Sequence, residues 1–368
     1  EDGTINILGE VKSDIHLVSD SGTIGLKAKK TKNTDTDGKI TYTGSYKLTD
    51  TTLDLSGDGA KEVTIENLTV GGSSTLKWDA EITDTGDSYS VASDIKNLTA
   101  TGQFTTGTIN IMGANKGEWY DVTYNKSLFA DGSVVVVATD GLYKTKNVTE
   151  TGFSVNFVDV TLPKTLGEVL RSTTASTLDF GDYVTVNEGE TLNYGISEKD
   201  LQNGSMGGLG SGQKTIIGAT DKAEGTVINA NGVSKLFNLG SGDKLSLSNL
   251  TISNAKGAIY NENGTITFGE GSTATFSGNK ASKYGGAIYN SSGTITFGAD
   301  SSVSFSNNTV NGQLNDIYNS GTINILGEVK SDIHLVSEGG TIELKAKDTD
   351  GDGKVTYTGS YNLTNSAK

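Results

Sequence analysis

The spacing richest in possible chemistry is Asp348-x-Asp350-x-Asp352 followed by Gly353. Alternating oxygen ligands before a turn glycine open a calcium loop, because carboxylates two residues apart converge on one side of a tight bend. Asn33-x-Asp35-x-Asp37-Gly38 is a sister copy. Neither run has the acidic residue that would close such a loop at its twelfth position, where Gly359 and Gly44 stand. Read as metal sites, both predict weak calcium binding; read as polar turns between strands, they need no ion. No other residue pattern calls for a cofactor.

Catalytic candidates are sparse. The two histidines, His16 and His334, occupy the same position of a repeated segment, and the sequence places no carboxylate set beside either. Arg171 is the single arginine. Glu262, Glu270 and Asp300 fall in turns and do not pair from one repeat to the next. General acid–base work needs a donor and an acceptor that converge, so the expectation is a protein without catalytic residues. The alternative from another class is a carbohydrate-active parallel β-helix enzyme, a polysaccharide lyase or hydrolase.

A net charge of −15 disfavours nucleic acid as a partner, since phosphates need a basic surface. The absence of cysteine excludes disulfides and thiolate metal sites. No run of about eighteen apolar residues is present to span a membrane as a helix. The opening EDGTINILGE has no signal-peptide pattern, so any export signal is expected outside this window.

The elements that would carry these residues are repeats. From Gly257 one pattern recurs three times, so that Ile259, Ile288 and Ile317 stand 29 residues apart. Phe268 and Phe297, and Phe276 and Phe305, keep the same interval. A period of this size with short alternating strands marks a solenoid whose coils bury their apolar faces only against one another. Three strands per coil predict an all-β, elongated parallel β-helix. Its internal ladders would be Ile259, Ile288 and Ile317, then Phe268 with Phe297 and Phe276 with Phe305. A corner ladder of amides would join Asn238, Asn261, Asn290 and Asn319. Hairpin turns in a meander are the plainer explanation of the Asn and Gly residues, but hairpins do not require triplets in register.

Four segments are expected. Residues 1–48 form coils that open a long repeat, and 49–165 an irregular β-rich segment. Residues 166–320 make the regular β-helix, and 321–368 begin the next long repeat. GTINILGEVKSDIHLVS at Gly3–Ser19 recurs letter for letter at Gly321–Ser337, an offset of 318. This repetition predicts a tandem array or a subunit that joins its own copies end to end or side by side, helped by open strand edges. Residues 117–162 read as hairpins or as further coils. Leu166–Arg171 is the one helix-like stretch.

Gly285-Gly286-Ala287-Ile288 followed by Phe305-Ser306-Asn307-Asn308 resembles the GGA(I/L/V) and FxxN repeat pair of the chlamydial polymorphic outer membrane proteins, a grammar shared with autotransporter-type passengers. Phe276-Ser277-Gly278-Asn279 is a second FxxN; Lys256-Gly257-Ala258-Ile259 keeps one glycine, and Asn315-Asp316-Ile317 has lost the motif. The likeness covers 192–327. It implies a right-handed β-helical passenger, secreted and displayed at a bacterial cell surface, that adheres to host or neighbouring cells or to itself. A role in fibres or biofilm follows from the same likeness.

Overall fold

The structure is a computed structural model that describes residues 3–8, 14–27, 39–57, 62–93, 95–137, 139–329, 331–345 and 355–365. Two compact units divide the chain. One comprises Glu1–Thr139 with Thr145–Phe157, the other Asp140–Lys144 with Val158–Lys368.

The second unit is a parallel β-helix. Its regular coils make three main strands that pair with their counterparts in the neighbouring coils; Lys280–Ala281 adds a small extra sheet with Thr309–Val310, which lies antiparallel to Gln313–Leu314. Ile259–Asn261, Thr265–Phe268 and Thr273–Ser277 form one coil. They lie parallel and in register on Ile288–Asn290, Thr294–Phe297 and Ser302–Ser306 of the next. Three parallel sheets result, one per face of the coil. The strands obey the two-residue alternation: in Thr265–Phe268, Ile266 and Phe268 are buried while Thr265 and Thr267 face outward. Corners turn on residues in the left-handed region, among them Asn249, Asn254 and Asn307, where short polar side chains are tolerated. One continuous core of Ile, Leu, Val and Phe runs through the stack.

Helix Leu166–Arg171 packs Leu166, Val169 and Leu170 into that core. A reciprocal capping box starts it: the Thr165 hydroxyl accepts from the Glu168 backbone N–H, and the Glu168 carboxylate accepts from that of Thr165.

The first unit has parallel stacks of its own. One sheet takes Thr4–Ile7, Gly22–Leu26, Thr51–Asp54, Thr75–Asp84, Phe104–Met112 and Phe129–Val137 in that order. A second takes Ile15–Ser19, Lys39–Thr49 and Glu62–Gly71. Antiparallel pairs interrupt the pattern, Tyr89–Ser93 against Ala80–Asp84 and Trp119–Thr123 against Gly152–Phe157. Within 117–162, Phe129–Val137 continues a parallel stack as a further coil would, and Gly152–Phe157 lies antiparallel to Trp119–Thr123, a pair that other strands separate along the chain.

The two copies of the long repeat form the same pairings. Thr4 is opposite Thr23 and Thr322 opposite Thr341; Ile15 is opposite Gly44 and Ile333 opposite Gly359. Both glycines need to be glycine. Each has a positive φ near 105°, and a Cβ would sit about 2 Å from the carbonyl oxygen of the facing isoleucine.

Candidate functional site

The regular coils concentrate their specific interactions in four kinds of column, apolar, amide, FxxN and tyrosine, that run from coil to coil. Ile259, Ile288 and Ile317 are direct strand partners in a buried column. Phe268 stacks on Phe297 with centroids 4.9 Å apart, and Phe276 on Phe305 at 5.5 Å. Within a coil the two rings meet edge to face, 5.8 Å for Phe268 with Phe276. Such pairs add about 0.5–1.5 kcal/mol each beyond burial.

The second column is an amide ladder. The Asn261 side-chain amide donates to the Asn290 carboxamide oxygen at 2.9 Å, and Asn290 donates likewise to Asn319 at 2.7 Å. Asn319 passes the chain to the Ser337 hydroxyl at 3.2 Å. Each carboxamide also binds its own turn: Asn261 accepts from the Gly264 N–H and donates to the Gly264 carbonyl. Glycine follows the turn because a Cβ on Gly293 would lie 2.2 Å from Asn261 Nδ2. Asn238 is not in this ladder. It pairs with Tyr260 and points outward, while Leu239 occupies the rung beneath Asn261. The rung spacing there is 22 residues, Phe237 to Ile259, so matching Asn238 to Asn261 shifts the strand by one and turns the side chain to the opposite face.

A third column explains the FxxN motif. The Asn279 amide donates to Asn308 Oδ1 at 2.9 Å and to the Ile252 carbonyl at 3.1 Å. Asn308 repeats this one coil on, donating to the Phe276 carbonyl at 3.0 Å and to Asp316 Oδ1 at 2.9 Å. Asp316 fills the place held by buried Ala258 and Ala287 in the preceding coils. Its other oxygen accepts the His334 backbone N–H at 2.7 Å and lies 3.2 Å from His334 Nδ1. Sequence reasoning placed no carboxylate near His334; the structure corrects this with a buried Asp316. The pair borders a cleft of about 250 Å³ with Phe305, Ser306, Asn307, Leu314 and Asp332. His16, the equivalent residue, has the Ser45 hydroxyl at 2.8 Å.

The double glycine of Gly285-Gly286 is a packing requirement. Gly285 has φ of +32°, and a Cβ there would fall 1.9 Å from the Ile288 carbonyl oxygen. A Cβ on Gly286 would fall 2.5 Å from the Thr309 nitrogen.

Outside the core, Tyr260, Tyr289 and Tyr318 form a fourth column in register. Tyr284 stacks on Tyr289 at 4.7 Å, and Lys235 Nζ sits 3.7 Å from the centre of the Tyr260 ring. The Tyr318 hydroxyl donates to Glu338, which with partial burial pushes its pKa up to about 12.

Other groups have structural partners. Arg171 donates to the carbonyls of Asp200 and Met206 at 2.5 and 3.1 Å. The buried Asp200 carboxylate accepts from Tyr194, Gly167 and Ser197. Glu262, Glu270 and Asp300 lie exposed in turns. Asn33, Asp35, Asp37, Asp348, Asp350 and Asp352 lie outside the described residues. Among the described residues, no group of three His, Asp or Glu could hold a metal, and no helix is long and apolar enough to cross a membrane.

No curated protein and no solved structure is similar enough to the chain to match. Residues 273–291, which carry Phe276, Asn279, Gly285, Gly286, Ile288 and Asn290, match the Chlamydia polymorphic membrane protein repeat.

Proposed function

We propose that this chain is a structural and adhesive repeat of a secreted bacterial surface fibre or adhesin, without enzymatic activity. One observation carries the reading. The segment that matches a membrane-protein repeat lies within the in-register stack, and its motif residues are those that bind coil to coil. Side chains so used stiffen a scaffold, because backbone pairing and amide chains run along one axis. The outer face is left to make contacts, with its tyrosine column the most distinctive feature.

Antibody raised against the purified chain, applied to intact cells of the source bacterium, tests location; purified chain applied to host or neighbouring cells tests adhesion. Staining before permeabilisation and saturable binding are expected. Signal only after permeabilisation overturns the surface reading. Product formation from acidic or neutral polysaccharides would replace adhesion with the catalytic alternative.

A further inference from the structure

The sheet that turns its isoleucine and asparagine ladders inward presents a different column to solvent. Tyr260, Tyr289 and Tyr318 are the outward middle residues of Ile259–Asn261, Ile288–Asn290 and Ile317–Asn319, one directly above another. Tyr284, from the bend that precedes Gly285, lies 4.7 Å from the ring centres of both Tyr289 and Tyr318. All four tyrosines are partly exposed. Strand alternation asks for apolar residues on the inner face only. The core therefore does not call for aromatic rings at these outward positions, and the coils to either side place Asn238 and Val336 there instead.

One border of this column is basic. The bends that lead into the sheet in three successive coils are 230–236, 254–258 and 278–287. They contain Lys235, Lys256, Lys280 and Lys283 and no Asp or Glu, in a chain whose 44 acidic residues outnumber its 29 basic ones. All four lysines are exposed, and none forms an ion pair among the described residues. The bends stack as the strands do: the Lys256 N–H donates to the Val233 carbonyl at 2.9 Å, and the Lys280 N–H to the Ala255 carbonyl at 2.8 Å. Two of the ammonium groups reach the rings, Lys235 Nζ at 3.7 Å from the centre of Tyr260 and Lys283 Nζ at 4.8 Å from that of Tyr284. Glu262 stands on the opposite border, exposed in the turn after Asn261.

We propose that this basic and aromatic border binds a linear acidic polysaccharide laid along the coil axis, its carboxylate or sulfate groups met by the lysines and its sugar rings by the tyrosines. The proposal rests on the adhesive reading above for its setting and names the class of ligand. Tyrosine suits a sugar because it offers an apolar ring and a polar tip together. Coils follow one another at about 4.8 Å, and a pyranose unit advances an extended polysaccharide by a similar length, so successive sugars meet equivalent groups. Charge density separates a glycan from nucleic acid. Four lysines match one anionic group on every sugar or two, whereas closely spaced phosphates would extend past them onto a chain of net charge −15.

Fluorescence anisotropy of labelled hexasaccharides against the purified chain tests this. The probes are one from polygalacturonate, which carries carboxylates, one from heparin, which carries sulfates, and one from neutral dextran. At least one acidic probe should bind at low salt and lose affinity as salt is added, because the contacts are exposed charges; dextran should not bind. Which acidic probe binds more tightly identifies the anionic group. Lys235→Gln combined with Lys283→Gln should weaken binding about tenfold. Lys222→Gln, at the corner between the two other sheets, should leave it unchanged. Tyr289→Ala should also weaken binding, and Tyr289→Phe, which keeps the ring, should retain most of it. Circular dichroism melts verify folding, and should Tyr289→Ala fail to fold, the exposed lysine pair still decides.

Failure of both acidic probes to bind, equal binding of dextran, or an affinity unmoved by the lysine pair would overturn the proposal. So would tighter binding of a single-stranded oligonucleotide of equal charge, which would make the border a nucleic-acid site. The two readings can fail separately. An acidic probe that binds, with antibody staining only after permeabilisation, keeps the glycan site and sinks the surface reading. Saturable cell binding with neither acidic probe bound sinks the glycan site and keeps adhesion.

Discussion

The side-chain amide of Asn290 donates to the carboxamide oxygen of Asn319 at 2.7 Å, and both residues are fully buried. Asn290 also accepts from Asn261, so it is the middle member of a one-way chain of amides. Asn290→Ala should therefore cost more than the loss of one bond. It leaves one N–H of the Asn261 amide and the Gly293 carbonyl without the Asn290 side chain, and Asn319 Oδ1 with the Gly321 N–H alone, losses of about 1–3 kcal/mol for a buried group left unpaired in a dry core. Urea unfolding should show a loss of about 3 kcal/mol, and Asn238→Ala, on the outer face, a loss near zero.

The double glycine should tolerate no side chain. Gly285→Ala would drive a methyl into the Ile288 carbonyl, and Gly286→Ala into the Thr309 backbone. Each is expected to destabilise by about 2 kcal/mol or more, because the obstacle is backbone and the strand cannot give way. Gly242→Ala serves as the control, since its Cβ would meet nothing within 4 Å and only its positive φ opposes the change. Thermal melts of the three variants should rank them in that order.

Phe297 sits between Phe268 and Phe305, stacked on one and edge-on to the other. Phe297→Ala opens a cavity in a core one side chain deep and should cost about 3–5 kcal/mol. Phe297→Leu should recover much of that but lose the stacking component. Calorimetric unfolding checks both.

Tyr318 gives a pH prediction. Its folded-state pKa is raised to about 12, mainly by the hydrogen bond to Glu338 and then by partial burial. The neutral phenol is the favoured form, so its contribution to stability is complete below the ordinary tyrosine pKa near 10 and is lost as pH rises toward about 12. Titration followed by phenolate absorbance should lose one late-ionising group in Tyr318→Phe. An unchanged titration curve would contradict this assignment.

The sequence was most legible where coils have equal length. Ile259, Ile288 and Ile317 could be placed one above another because a constant interval and strict alternation leave a single register. Legibility failed where coil length changes. Rungs are 22 residues apart between Phe237 and Ile259, and 18 between Ile317 and Leu335. The first change moved Asn238 to the wrong face. The second hid the meeting of Asp316 with His334, since a 29-residue interval never brings them together. Asp316 did leave a trace, as the one departure from alanine in the motif position. The antiparallel pairing of Trp119–Thr123 with Gly152–Phe157 left none, because alternation is the same in either strand direction.

The amide chain through Asn261, Asn290 and Asn319 touches only nearest neighbours, and every member offers a donor in one direction and an acceptor in the other. Nothing in the interior counts how many members precede or follow. Genetic duplication or deletion of a whole 29-residue block would leave each surviving bond with a partner, whereas a gain of one residue inside a strand would turn that strand inside out. Descendants of such a chain are free to vary in length by complete blocks or in the turns, as the spacings of 22 and 18 residues show, but not by single residues within a strand.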